Sequence, residues 1–166
     1  MFFSDGDSFE GYGAIKNNKI KFRLLLEDKA EKWDYELVSK IIFHGFNRTV
    51  TYEYVKLKEF TNPVLLEFVT EGEVSLYRNE KNRWVGGNNE FSGSAQKITV
   101  ITNYLKRNNT QFPICLNYGI FNPWKKRTIN FLSDCPTLVK KIKTNVFREV
   151  HLQEIVEYYN DFCTEL

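Results

Sequence analysis

Few of the side chains that commonly carry out catalysis or bind metal ions occur in this sequence. Its two histidines, His44 and His151, are too few for a usual zinc site unless cysteine or carboxylate ligands complete it. His151 and Glu154 lie one helical turn apart, yet the second histidine of a His-Glu-x-x-His helix is missing. The sequence therefore predicts neither a metal ion nor a cofactor.

Motifs for nucleotide-dependent or classical hydrolase chemistry are missing as well. The sequence has no Gly-x-Gly-x-x-Gly, no Walker loop and no Gly-x-Ser-x-Gly elbow, which would supply a phosphate cradle or an exposed nucleophile. A thiol nucleophile is one alternative, with either Cys135 or Cys163 paired with His151 as base, and the dipole of a helix starting at Cys135 would favour its thiolate. Packing at the helix cap is the favoured interpretation of Cys135, so an enzyme is the third of the functional hypotheses.

The cysteines leave two interpretations open. Cys115, Cys135 and Cys163 are too few for a disulfide framework and show no Cys-x-x-Cys spacing. Cys135 and Cys163 would pair if their helices are antiparallel neighbours and the protein is exported. Buried free thiols are the favoured interpretation, because cysteine packs as a small hydrophobic residue.

Basic residues cluster in the last third of the chain. Lys125, Lys126 and Arg127 are consecutive on a predicted helix and would contact phosphates if the fold presents them together. The simpler interpretation is a solvated helix face, because 23 basic residues are nearly balanced by 21 acidic ones and the net charge is only +2. A nucleic acid is therefore the less favoured partner, kept as an alternative to a protein or a small ligand.

Two aromatic residues lie in an otherwise polar, glycine-bearing segment, residues 79–96. Trp84 and Phe91 either fold back onto the core, which is the favoured interpretation, or are offered to a partner together with Arg83. We interpret the segment as a long loop or a hairpin tip, because Gly86-Gly87-Asn88-Asn89 lies at its centre. Binding residues are often found in such loops, so these three side chains are the predicted partner surface.

The elements that must position these residues are mostly strands. At 166 residues, with 42% hydrophobic and 27% charged residues, the chain fits one globular domain, residues 1–166. Alternation and turn residues predict strands at 9–15, 19–26, 33–35, 40–46, 50–57, 64–70, 73–78, 97–105 and 111–118. Asn17-Asn18 and Glu71-Gly72 are predicted to be hairpin turns, since asparagine and glycine tolerate positive φ.

Helical periodicity follows the β-rich residues 1–120. Asn122-Pro123 and Cys135-Pro136 are start signals, because proline loses nothing at the first helical position. The third run is the clearest, with apolar residues at the i, i+3, i+4, i+7 positions of one face: Leu152, Ile155, Val156, Tyr159, Phe162 and Cys163. Residues 122–166 therefore predict three helices packed on the β-rich part.

The predicted fold class is α+β. We expect an antiparallel sheet of about seven to nine strands, curled into a sandwich or partly open barrel, followed by three C-terminal helices. No apolar run approaches the roughly 18 residues of a membrane-spanning helix, so no transmembrane segment is expected. The sequence does not determine the oligomeric state.

Several short motifs resemble those of a known group of proteins. They are Asp5-Gly6 with Gly11, Thr51-Tyr52-Glu53-Tyr54, Gly72 with Leu76-Tyr77, Asp134-Cys135-Pro136-x-Leu138, and Tyr159-Asn160. In this order they resemble uncharacterised exported proteins of Bacteroidota, with a β-rich body and a C-terminal Asp-Cys-Pro helical segment. The resemblance implies the periplasm or cell envelope, provided that a signal peptide has been removed; the cytoplasm is the alternative.

These observations favour a non-enzymatic, envelope-associated binding or interaction module. The alternative is a small-ligand or nucleic-acid binding protein that uses the basic helix faces, and an enzyme with unfamiliar motifs ranks third. The resemblance implies a location and no activity.

Overall fold

The fold is α+β, as predicted. A computed structural model describes residues 1–45, 47–85, 95–117 and 123–164. The described strands are β1 Phe2–Phe3, β2 Tyr12–Lys16, β3 Lys19–Arg23, β4 Glu31–Trp33, β5 Val38–Gly45, β6 Arg48–Val55, β7 Val64–Thr70, β8 Val74–Val85, β9 Gln96–Arg107 and β10 Ile114–Cys115. The helices are α1 Trp124–Phe131, α2 Pro136–Lys143 and α3 Leu152–Phe162, and a short 3-10 turn, Glu149–His151, precedes α3.

The strands form two antiparallel sheets that do not close. The large sheet has seven strands in the order β1-β5-β6-β7-β8-β9-β10, and the small sheet has the order β2-β3-β4. The ten strands that the structure describes slightly exceed the expected number. The β2–β3 turn is confirmed, because Asn17 and Asn18 have φ of 53° and 60° and join two strands in register.

Both the helices and the small sheet pack on one face of the large sheet. Ile41, Tyr52, Glu67 and Arg78 lie side by side across β5 to β8, so their side chains share that face. At one end this face meets the small sheet, and the shared buried cluster is Met1, Ile20, Phe22, Val38, Ile41 and Leu65. At the other end it meets the helices, through a cluster that includes Val74, Leu76, Leu105, Leu116, Leu132, Leu138, Ile142, Leu152, Ile155, Val156 and Tyr159.

The helices begin and end close to the predicted positions. Pro136 occupies the first turn of α2 after Cys135, and Asn145 follows the helix with φ of 61°. Pro123 precedes α1, whereas Asn122 lies outside the described residues. In α3 the predicted stripe is buried at Leu152, Ile155, Val156 and Tyr159, while Phe162 is 65% exposed.

The favoured interpretation of two cysteines was wrong. Cys135 and Cys163 form a disulfide across 28 residues, with their Cα atoms 5.7 Å apart, and Cys115 is the free thiol. The bond joins the start of α2 to the end of α3, because these ends are neighbours in the folded chain. A disulfide-bonded sulfur is no nucleophile, so the pairing of Cys135 or Cys163 with His151 as a catalytic dyad is also excluded.

The polar segment is more ordered than a loop. β8 runs to Val85 and β9 starts at Gln96, in continuous register from Val74↔Arg107 to Val85↔Gln96. The loop interpretation is therefore wrong for residues 79–85 and 96, where β pairing continues despite the polar side chains. Residues 86–94 lie outside the described part of the chain.

Candidate functional site

The clearest concave site lies at the N-terminal end of the large sheet. The backbone between β1 and β2 turns back on itself, since Phe9 N–H donates to Met1 O at 2.9 Å and Phe2 bridges to Ser8. This return places Phe9 opposite β3 and the start of β4. Between them lies a cavity of about 500 Å³ lined by Met1, Phe3, Phe9, Phe22, Arg23, Leu24, Asp28, Lys29, Glu31 and Trp33.

A second cavity lies on the other side of Phe9. Its volume is about 740 Å³, and it shares Met1, Phe9, Phe22 and Leu24 with the first. Its remaining walls come from β1, the return segment, β2 and β5, and include Tyr12, Ile41, Phe43 and His44. We call the two cavities together the N-terminal cleft.

Gly13 lets β2 lie directly on the large sheet beside this cleft. A Cβ atom at Gly13 would stand 2.9 Å from Ile41 Cδ1 and 3.2 Å from the Phe43 ring. Gly11 is equally confined, because a Cβ there would clash with Arg23 O. The close approach explains why glycine occurs twice in a strand region, where it weakens pairing.

Large apolar side chains remain exposed at the cleft mouth. Among the lining residues Phe9 is 48% and Leu24 53% exposed, and Leu25 and Leu26, which follow Leu24 in the chain, are 55% and 56% exposed. Single exposed leucines are ordinary, but a contiguous group beside a cavity is typical of a binding site. The sequence reasoning missed this site; its signal was the Leu24-Leu25-Leu26 run, which was assigned to the strand predicted at 19–26, whereas β3 ends at Arg23.

The charges at the cleft mouth balance. Arg23 and Lys29 face Asp28 and Glu31 among the lining residues. Asp28 Oδ2 is already engaged, because it accepts a hydrogen bond from Leu25 N–H at 2.9 Å. The mouth therefore combines an apolar floor with polar groups of both signs.

The predicted partner surface is only partly described. Trp84 is 72% exposed near the end of β8, so its indole does not return to the core, and the favoured core interpretation of this ring is wrong. Arg83 is exposed beside it, but successive strand residues point to opposite faces, so these two side chains do not form one patch. Phe91 lies outside the described residues. Their role as a partner surface stays a prediction.

The predicted phosphate-binding residues have structural partners. Lys125 Nζ donates to Lys143 O at 3.1 Å and to Asn145 Oδ1 at 2.7 Å, so its charge lies at the C-terminal end of α2. Arg127 donates to Cys115 O. Lys126 is exposed on α1. The three side chains thus point to different environments, and phosphate binding by them stays a prediction.

A polar network joins the helices to β9. Arg107 Nη2 donates to both carboxylate oxygens of Asp134 at 3.0 Å and to Phe131 O at 2.8 Å, while Nη1 donates to Tyr159 OH at 2.6 Å. Tyr159 OH in turn donates to Asp134 Oδ2 at 2.6 Å. Burial raises the pKa of Asp134, but the hydrogen bonds from Tyr159 and Arg107 outweigh it, so the net pKa is lowered. This network is structural, and sequence spacing gave no sign of Arg107.

One carboxylate lies on the opposite face of the large sheet. Burial raises the pKa of Glu53, against the effect of Lys40 and of a long contact, 3.4 Å, from Tyr77 OH. Burial also raises the pKa of Tyr77 to about 12. Tyr77 belongs to a small buried cluster with Val55 and Leu66, and neither Tyr77 nor Glu53 lines the two cavities described above.

The described residues offer neither a cluster of metal ligands nor a membrane-spanning helix. Within ranges 1–45, 47–85, 95–117 and 123–164, no group of histidine, cysteine and acidic side chains is arranged to hold a metal ion. The helices that the structure describes are too short and polar to cross a membrane. Comparison of the chain with protein-family models, curated proteins and solved structures gives no match.

Proposed function

We propose that this protein is a non-enzymatic binding module whose N-terminal cleft takes a small, mainly apolar molecule with a polar end. One observation carries the proposal: an open cavity of about 500 Å³ has Phe3, Phe9, Phe22 and Trp33 among its lining residues. Ligand sites are mostly apolar concavities with a few placed polar groups. The cleft has that composition.

The position of the apolar side chains supports a ligand over a simple packing gap. Phe22 is 7% exposed and forms the floor, whereas Phe9 and Leu24 are about half exposed at the mouth. A molecule in the cleft would cover both, and burying apolar surface contributes about 25 cal/mol per Å². The cleft is thus a place where binding gains free energy without unfolding the surrounding sheet.

The mouth indicates the polar character of the ligand. Arg23 and Lys29 are balanced by Asp28 and Glu31, so the rim favours no net charge. A neutral polar end can accept a hydrogen bond from a cation and donate one to a carboxylate. A charged end would be repelled by the two rim side chains of its own sign. We therefore place a neutral amphiphile, such as a medium-chain alcohol, ahead of the acid or amine of equal length.

Trp33 makes the proposal measurable, because its indole lines the cleft. A Trp84→Phe background removes the exposed indole of β8 and leaves Trp33 together with Trp124, which packs against the helical cluster away from the cleft. Octanol, octanoate and octylammonium are then titrated while fluorescence is recorded. We expect saturable binding of octanol that is weaker for the two charged probes. The absence of saturable binding for all three would overturn the proposal.

A matched pair of variants tests the location. Leu24 lines the cleft and is 53% exposed, while Leu37 is 56% exposed and is not among the lining residues of either cavity. Leu24→Ser should weaken octanol binding several-fold, and Leu37→Ser should leave it unchanged. Equal effects of both substitutions would show that the probe binds elsewhere.

The proposal includes a location in the cell envelope. It is supported by the Cys135–Cys163 disulfide, because such bonds persist in oxidising compartments and are rare in the cytosol. Cell fractions can be treated with a maleimide under denaturing conditions to count free thiols. We expect the protein in the envelope fraction with only Cys115 labelled; recovery from the cytosol with all the cysteines labelled would contradict this location.

A further inference from the structure

The hairpin of β8 and β9 leaves the large sheet because an asparagine ends its pairing with β7. β7 and β8 pair only as far as Glu67↔Arg78. Beyond it, Leu65 N–H donates to Asn18 Oδ1 at 2.7 Å and Asn18 Nδ2 donates to Pro63 O at 3.0 Å. The side chain of Asn18 thus takes the backbone groups that would face β8. We call residues 79–85 and 96–102, which continue past this point, the β8–β9 arm.

The direction of the backbone groups along β9 can be deduced from one residue, Asn103. Asn103 N–H donates to Asn117 Oδ1 at 2.7 Å, and its carbonyl accepts from Leu116 N–H at 2.8 Å, so both of its groups point away from β8. Every second residue of a strand points to the same edge, so Lys97 and Thr99 also direct their N–H and C=O groups outward. Within the described part of the chain, nothing pairs with these four groups.

The two edges of the arm differ in charge. The β8 edge carries Glu80, Lys81 and Arg83, and charged side chains are a common protection of strand edges against pairing. The β9 edge, by contrast, carries Ile98 and Val100 around Thr99, and Lys97 is its one charged side chain between Gln96 and Thr102. Ile98 is 41% exposed. The unprotected, β-branched edge is therefore on β9.

We propose that the β9 edge pairs antiparallel with the β9 edge of a second copy of this chain. The overlap is Gln96 to Val100 in each copy, with Ile98 opposite Ile98 on the twofold axis and Lys97 opposite Thr99. In this register the outward groups of Lys97 and Thr99 form four backbone hydrogen bonds between the copies.

The neighbouring structure sets the limit of this overlap. Asn117 Nδ2 already donates to Ile101 O at 3.0 Å, so pairing stops before Ile101. The register places no lysine directly opposite another, and it covers the two Ile98 side chains with each other. It also gives the arm two further strands, and isolated two-stranded hairpins are only marginally stable in water.

Proline provides a matched test, because Thr99 and Asn82 lie directly opposite each other on the arm. By the same alternation the N–H of Asn82 points outward on the β8 edge. Proline at either position removes one outward N–H and leaves the β8–β9 ladder paired. Thr99→Pro should weaken dimerisation about tenfold or more, since both copies lose a hydrogen bond, and Asn82→Pro should leave it unchanged.

A second pair of variants does not depend on the tolerance of proline. Ile98→Lys brings two like charges together on the axis, whereas Ile101→Lys changes an equally exposed side chain, 45% against 41%, outside the overlap. Sedimentation equilibrium measures the dimer, and hydrogen exchange should show the amides of Lys97 and Thr99 protected more at high protein concentration. A monomeric parent, or equal loss of dimer in Ile98→Lys and Ile101→Lys, would overturn the proposal.

Discussion

The covered face of the large sheet has two halves, and they are closed to different degrees. In the helical half, Leu76, Leu105 and Ile155 are fully buried, and covalent and polar bonds hold the covering elements in place. In the N-terminal half, the small sheet covers Ile41 and Leu65 but leaves a cleft whose apolar walls reach solvent. The same sheet face thus supports a closed core and an open site.

The difference comes from the covering elements. Side chains of α2 and α3 share one buried cluster with Leu76 of β8 and Leu105 of β9, and the disulfide and the Arg107 network tie the helices to each other and to β9. The small sheet has strands of three to five residues and is joined to β7 mainly through the Asn18 turn. The cleft lies where this short sheet meets β1, the return segment and β5.

The largest expected difference in the free energy of unfolding is between a buried leucine of the helical half, Leu105, and an exposed leucine at the cleft, Leu24. Leu105→Ala should lower the free energy of unfolding by about 2–5 kcal/mol, because it leaves a cavity in a packed core. Leu24→Ala should change it by less than about 0.5 kcal/mol, since Leu24 is 53% exposed. Urea denaturation measures both values. Comparable losses would show that the cleft is part of a closed core.

In each half one asparagine side chain, Asn160 or Asn18, hydrogen-bonds to backbone groups of the large sheet and its flanking residues. Removing these side chains should have an intermediate effect on the free energy of unfolding. Asn160 accepts from Val74 N–H at 2.9 Å and donates to Val74 O at 2.9 Å, so Asn160→Ala leaves the backbone of a buried residue unpaired. We expect a loss of about 1–3 kcal/mol. Asn18→Gly keeps the positive φ but removes the part-buried bond to Leu65 and the exposed bond to Pro63, which water replaces, so its loss should be nearer to about 1 kcal/mol.

Asn17→Gly is the control for Asn18→Gly. Asn17 occupies the same turn with φ of 53°, and its side chain makes no hydrogen bond that the structure describes. Thermal unfolding should show Asn17→Gly close to the parent and Asn18→Gly below it. If the two glycine variants melt together, the backbone of the turn holds the small sheet and the Asn18 side chain does not.

The smallest effect concerns one ion pair in each half. Hydrogen bonding to Lys19, at 2.8 Å, lowers the pKa of Asp34, and the pKa of Asp134 is also lowered. Each aspartate therefore stabilises the fold above its ordinary pKa of 3.8, and the contribution is lost as the pH falls through the lower folded pKa. We expect Asp134→Asn to cost more than Asp34→Asn at pH 7, because Asp134 accepts from both Arg107 and Tyr159.

Denaturation at a series of pH values checks this expectation. The difference between each variant and the parent should be constant near neutrality and should shrink as the pH falls below 3.8. An Asp34→Asn effect as large as that of Asp134→Asn would mean that the exposed pair is worth as much as the shared network, contrary to the usual weakness of surface ion pairs.

Local sequence patterns predicted the elements well where an element buries one of its faces against a single neighbour. The alternation in β6 and the apolar stripe of α3 predicted a strand and a helix because each element covers its side chains against one partner. The polar residues 79–85 were not predicted as a strand. They form one nevertheless, because their backbone pairs with β9 and this pairing needs no apolar face. The N-terminal cleft was missed because Phe9, Phe22 and Trp33 meet only when β3 and β4 fold over β1.

By itself, the sequence determined the antiparallel β-rich body, the hairpin at Asn17-Asn18 and the three C-terminal helices, since spacing and turn residues act over a few neighbours. Only the tertiary structure decided that Cys135 reaches Cys163, that Arg107 meets Asp134, and that Asn18 ends the pairing of β7 with β8. These partners are separated by 27 to 47 residues along the chain. Their distance is set by packing of whole elements, which no local pattern records.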